Sequence, residues 1–249
     1  TVQVPREEAN VVLAIDTSGS MVASDVSPDR ISAAREAAGR FLDRVPEDLR
    51  VGLVTFSTDA RVISAPTEDH AAVREALASL DAGGATAMGD ALARASEVSQ
   101  QAGEGGPTGS ETRRDVPAAV VLLSDGANTS GETEPSEAAR RAHEMGVPVF
   151  TVALGTDEGV AEVPDRQGEM QRIEVPPDTQ TLREIAETTN GEFFASTSEA
   201  DLVGVYEDLG SKVGFVEREQ EVTVAFAAAA LVLVASAGGL SALWFNRFP

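Results

Sequence analysis

Three groups of oxygen-bearing side chains interrupt an otherwise apolar pattern. Asp16, Ser18 and Ser20 follow the apolar run 11–15, Thr86 lies in GlyGlyAlaThrAla just ahead of a helical pattern, and Asp125 follows the run 118–123. Two carboxylates and three hydroxyls, with no His or Cys among them, are the ligand chemistry of a hard divalent cation, Mg²⁺ or Mn²⁺, rather than of zinc. Magnesium keeps several of its waters, so an aspartate can serve it through water as well as directly. Taken singly, each residue has an ordinary explanation. Serines and aspartates of this kind sit in turns, and a threonine before a helix is commonly a cap. Their common placement at strand ends sets them apart.

The elements that must hold these residues follow from two alternating periods. Residues 11–15 are short, continuously apolar and mostly β-branched, as in a strand covered on both faces of a parallel sheet. Further strands are predicted at 51–56, 118–123, 147–154 and 192–195, with 60–64 as a hairpin partner of the second. Helical spacing appears from 31 to 42, with Ile31, Ala34, Ala38, Phe41 and Leu42 on one face, and again at 69–80, 88–100, 135–145, 179–189 and 199–213. Residues 101–112 have loop composition, and 156–177 break the rhythm and read as a loop or small hairpin beside the sheet. Strands alternating with helices mean an α/β fold: a doubly wound, mainly parallel sheet with helices on both faces. In such sheets ligands bind at the carboxyl ends of the strands, where Asp16 and Asp125 fall.

Composition narrows the function. A formal charge of −22 and a pI near 4.3 exclude a nucleic-acid binder, which must neutralise phosphates with Lys and Arg. Cysteine is absent, so there is no disulfide frame, thiol nucleophile or Cys-ligated zinc. Residues 222–245 carry no charge. As a helix rising about 1.5 Å per residue they reach roughly 36 Å, enough to cross an apolar layer of about 30 Å. A transmembrane helix is predicted there, with Trp244 and Phe245 near an interface. Arg218 and Arg247 flank it one on each side, so the local charge balance leaves orientation undecided. The chain opens at Thr1 without an initiator Met or an apolar leader, which reads as processing or truncation.

AspThrSerGlySer at 16–20, the later Thr86 and the later Asp125 resemble, in order and context, the metal-ion-dependent adhesion site of von Willebrand factor type A domains. The resemblance covers about residues 10–214. It implies a six-stranded doubly wound sheet, Ser18, Ser20 and Thr86 as direct ligands, and Asp16 and Asp125 orienting them or bound waters. It also implies a partner protein whose Asp or Glu completes the metal shell. An A domain followed by a C-terminal span, together with the turn at residues 188–194, further resembles actinobacterial membrane-anchored A-domain proteins related to the Bat aerotolerance group. That likeness implies further spans ahead of the domain and a domain facing out of the cytoplasm.

The resulting organisation is a lead-in at 1–9, the A domain at 10–214, a juxtamembrane linker at 215–221, the span at 222–245 and a tail at 246–249. Enzymatic readings fare poorly. A haloacid-dehalogenase-like phosphatase needs a second aspartate two residues after the first and a late lysine, but position 18 is Ser18 and the chain's only lysine is Lys212. No GlyLys(Ser/Thr) occurs, so there is no P-loop, and no GlyXxxGlyXxxXxxGly follows the first strand. Binding without turnover is the reading left, with a scaffold subunit for a MoxR-type ATPase as the alternative. His70 and His143 are assigned no role, and Asp25 and Asp90 read as surface charge in preference to groups supporting the site.

Overall fold

The computed structural model describes residues 9–101, 117–164, 170–198, 201, 202 and 204. These belong to one compact unit within Pro5–Val216. The predicted span at 222–245 and the loop at 101–112, except for Gln101, lie outside the described residues. Among the described residues no helix is long and apolar enough to cross a membrane.

The central strand β1 (Asn10–Asp16) is buried along its whole length, as its unbroken apolar run requires. It pairs in parallel with β2 (Arg50–Phe56) on one side and β4 (Ala118–Ser124) on the other, so that Leu13 faces Leu53 and Val121. With β3 (Ala60–Thr67), β5 (Val149–Leu154) and β8 (Phe193–Ser196) they form a six-stranded sheet in the order β3-β2-β1-β4-β5-β8. Only β3 runs antiparallel. It extends past the predicted residue 64 to Thr67 and takes in Pro66 after a register shift. An edge strand tolerates that proline because its missing N–H is not needed by an inner neighbour.

The alternation of β1 side chains sorts the helices. Val11, Leu13 and Ile15 face a cluster with Ile31 and Phe41 of α1 (Arg30–Leu42) and Val73 and Leu77 of α2 (His70–Ala78). Val12 and Ala14 face the other way, toward Leu92 of α3 (Met88–Ser99), Ala138 of α4 (Pro135–Glu144) and Ile185 of α5 (Thr179–Thr188). Each fully buried side chain of this size contributes about 1.5–3 kcal/mol. Leu202, in the described part of the predicted last helix, joins the first cluster. Some of the acidity is structural: Asp29, Asp69 and Asp178 accept backbone N–H bonds as N-caps of α1, α2 and α5.

Residues 156–177 contain a hairpin, β6 (Val160–Pro164) and β7 (Met170–Glu174), paired antiparallel and separate from the main sheet. One close approach is unforgiving. A Cβ at Gly89 in α3 would lie 1.9 Å from the Thr133 carbonyl oxygen, so α3 rests directly on the backbone leading into α4. Gly89→Ala is expected to lower stability by about 2 kcal/mol, as overpacking does. Thermal denaturation should show Tm lower by about 4–8 °C.

Candidate metal centre

The turn after β1, the loop before α3 and the turn after β4 meet at one end of the sheet. Backbone bonds join the first two loops, with Gly19 N–H donating to the Gly84 carbonyl at 3.0 Å and Gly83 N–H to the Thr17 carbonyl at 2.8 Å. Thr86 is fixed through its main chain: its N–H donates to Thr129 Oγ1, and its carbonyl accepts from the N–H groups of Thr129 and Ser130. It does not cap α3. Asn128 Oδ1 accepts from Met88 N–H at 2.9 Å instead, which leaves the Thr86 hydroxyl on the wall of a cleft.

The five sequence-selected residues come together here. Ser18 Oγ and Ser20 Oγ are 2.9 Å apart, and Ser20 Oγ donates to Asp125 Oδ1 at 2.7 Å. A Cβ placed on Gly126 would lie 3.7 Å from Ser20 Oγ and 3.9 Å from Thr86 Oγ1, so both hydroxyls border one small volume. Asp16 Oδ1 accepts from Ser18 N–H at 2.8 Å, and Asp16 Oδ2 accepts from the Ser124 hydroxyl. Asp16, Ser18, Thr86 and Asp125 are buried and Ser20 is half-buried.

The two carboxylates are not equivalent. Burial, and then the negative charge of Asp125, push Asp16 up to about 7, against the pull of its hydrogen bonds from Ser124 and Ser18. Burial also raises Asp125, although Arg30 opposes the shift. Arg30 Nη1 donates to Asp125 Oδ2 at 2.7 Å, and the Arg30 side chain is fully buried. No cation among the described residues pairs with Asp16.

Arg30 is the residue that sequence reasoning missed. Its other nitrogens grip Asp25 with two bonds of 2.8 and 2.7 Å, and Nη2 also donates to the Val175 carbonyl at 3.0 Å. Asp25 in turn accepts from Thr156 N–H and Oγ1. Burial pushes Asp25 up, but these bonds and the Arg30 charge together hold it below the usual carboxylate value. The guanidinium fits because Gly155, at φ +122°, has no Cβ; one would stand 2.4 Å from Arg30 Nη2. Two expectations are therefore corrected. Asp25 is an ion-pair partner supporting the site, and Asp90 accepts from the N–H groups of Glu132 and Thr133, so neither is idle surface charge. The signal for Arg30 was its position: a cation in the first turn of a helix opposes the helix dipole and needs a compensating anion. His70, given no role, bonds through Nε2 to the Leu49 carbonyl at 2.7 Å, and His143 is exposed.

Among the described residues no group of three or more His, Cys, Asp or Glu side chains converges. A donor set rich in hydroxyls with two carboxylates can hold a hard divalent cation, and the buried, cation-free carboxylate of Asp16 is the strongest attraction for one.

A doubly wound sheet with this cluster at its carboxyl edge defines a von Willebrand factor type A domain, and the model of that domain family matches residues 11–128. The chain belongs to the UPF0353 protein family: a UPF0353 protein of Nocardia farcinica is 34% identical over 257 residues, covering 99% of this chain and 76% of that relative. The conserved hypothetical protein BatB of Bacteroides thetaiotaomicron superposes with a TM-score of 0.66 at 25% identity, over 82% of this chain and 98% of that one. Together these matches place the chain among Bat-like A-domain proteins. Proximal thread matrix protein 1 from the mussel byssus, whose MIDAS motif holds zinc, shares the fold with a TM-score of 0.59 at 20% identity, over 86% of this chain and 48% of that one.

Proposed function

We propose that this protein is a membrane-anchored A domain that binds a partner protein through a divalent cation, Mg²⁺ or Mn²⁺, without turnover. Ser18, Ser20 and Thr86 offer hydroxyls to the ion, and Asp16 and Asp125 offer charge directly or through water. The observation that carries this reading is Asp16: a fully buried carboxylate with no cationic side chain beside it, facing a cluster of hydroxyls. When bound, the ion neutralises this pocket and presents positive charge to an Asp or Glu of the partner. Without it, the same oxygens repel an incoming carboxylate. The zinc-filled motif of the mussel protein supports the geometry, and not the choice of ion. Calorimetric titration of Mg²⁺ and Mn²⁺ into the full chain tests the reading. One-site saturable binding is expected, and its absence for both ions would remove the metal reading.

The anchor is the uncharged segment 222–245, and the domain is proposed to face out of the cytoplasm. These 249 residues contain no cysteine, so Gly106→Cys gives the domain a thiol label that the unsubstituted domain lacks. An impermeant thiol reagent should modify it in intact cells. Labelling only after permeabilisation would put the domain inside and favour a scaffold for a MoxR-type ATPase.

A further inference from the structure

The metal cluster opens into a cleft of about 1230 Å³. Small-molecule pockets run to about 300–1,000 Å³, so this space suits a segment of polypeptide. Its two sides differ in chemistry. The floor is the hydroxyl cluster of Ser18, Ser20 and Thr86, with Asp125 buried beneath it. The other side is the β6–β7 hairpin, whose β6 packs against the short 3-10 helix Gly19–Val22 that also carries Ser20; this lip presents Ile173, Val175 and Pro176, with Val22 at the end of the helix beside them. Among the described residues four large apolar side chains are exposed, and two of them, Val22 and Ile173, belong to this lip. Two carboxylates also border the cleft, Glu174 and Glu162, the latter paired with Arg172 across the hairpin at 3.7 Å.

Besides the packing of β6 on the 3-10 helix, one side chain ties the hairpin to the residues beneath the floor. Arg30 reaches Asp125 beneath the floor, the Val175 carbonyl where the chain leaves the hairpin, and, through Asp25, Thr156 where the chain approaches it. Both ends of the hairpin are thereby held at a set distance from the cluster.

We infer that this lip selects the partner: the segment that docks carries a single Asp or Glu for the ion followed directly by an apolar side chain that packs on Val22 and Ile173. The inference rests on the metal reading above and adds the chemistry of the ligand. Charge decides against a polyacidic segment. Beyond the ion, Glu174 on the rim and the chain's net charge of −22 are negative, so a second acid is repelled where an apolar group is welcomed. An apolar side chain covering the lip also removes apolar surface from water on both partners.

The test uses the full chain in saturating Mg²⁺ and immobilised hexapeptides with Gly-Gly flanks around Asp-Leu, Asp-Ser, Asp-Asp or Asn-Leu, read by biolayer interferometry. The Asp-Leu surface should retain the protein at least tenfold more strongly than Asp-Ser or Asp-Asp, and Asn-Leu should retain none. The double variant Val22→Ser/Ile173→Ser should lose at least fivefold of the Asp-Leu response while its Mg²⁺ affinity, measured by calorimetry, changes less than twofold. Mg²⁺ binding with no preference for Asp-Leu, or with no peptide retained, overturns the lip and leaves the metal reading standing. No Mg²⁺ binding overturns both.

Discussion

Asp16→Asn is expected to abolish divalent-ion binding and, in metal-free protein at pH 8, to raise stability by about 2–4 kcal/mol. The two effects have one cause. Burial and the neighbouring Asp125 hold the Asp16 carboxyl at about 7, above its ordinary 3.8. The folded state therefore keeps a proton that the unfolded state gives up. Its stabilising contribution is complete below the unfolded value and is lost as pH rises through about 7. Asp125 is shifted in the same direction and adds to the trend. The metal-free wild type should accordingly lose stability between pH 5 and 8 in denaturant titrations, and the variant should lose less. Saturating Mg²⁺ should flatten the wild-type slope, because the ion favours the ionised carboxylate. A wild type whose metal-free stability rises over that range would contradict the account.

Arg30→Met is expected to be the most damaging single change near the site, costing about 3–5 kcal/mol. It leaves two carboxylates, Asp25 and the fully buried Asp125, without their cation. For a domain of this size Tm should fall by about 10 °C or more. Adding Asp25→Asn to that background removes one of the orphaned charges and should recover part of the loss. Alone, Asp25→Asn breaks an ion pair and should destabilise. A change of sign between the two backgrounds is the mark of a coupled pair, and simple additivity would show that Arg30 acts by packing alone.

The strands carrying the cluster were legible because a parallel strand buried on both faces leaves little room for polar residues. The runs at 11–15, 51–56 and 118–123 could hardly be anything else. Asp16 and Asp125 then fall at one sheet edge by their positions after those runs. The support around them was not legible in the same way. Arg30 reads as the polar start of α1, and nothing local shows that its side chain turns inward to Asp125, 95 residues later. Asp25 was misread for the same reason, since its partners are Arg30 and the distant Thr156. The freedom of the Thr86 hydroxyl depended on Asn128 supplying the helix cap, a contact across 40 residues or so. Periodicity reports which face is buried, and it is silent on polar partners chosen by tertiary structure.

The first two loops of the site are joined main chain to main chain, Gly19 to Gly84 and Gly83 to Thr17. Ala85, half-buried beside these bonds, borders the cleft but contributes no side-chain bond to the joint, whereas its neighbour Ala82 packs on the core. Substitution at Ala85 can therefore reshape the mouth of the cleft while the hydroxyls keep their places. Under the function proposed above, a lineage carrying this domain would change which protein it recognises without rebuilding the part that does the holding.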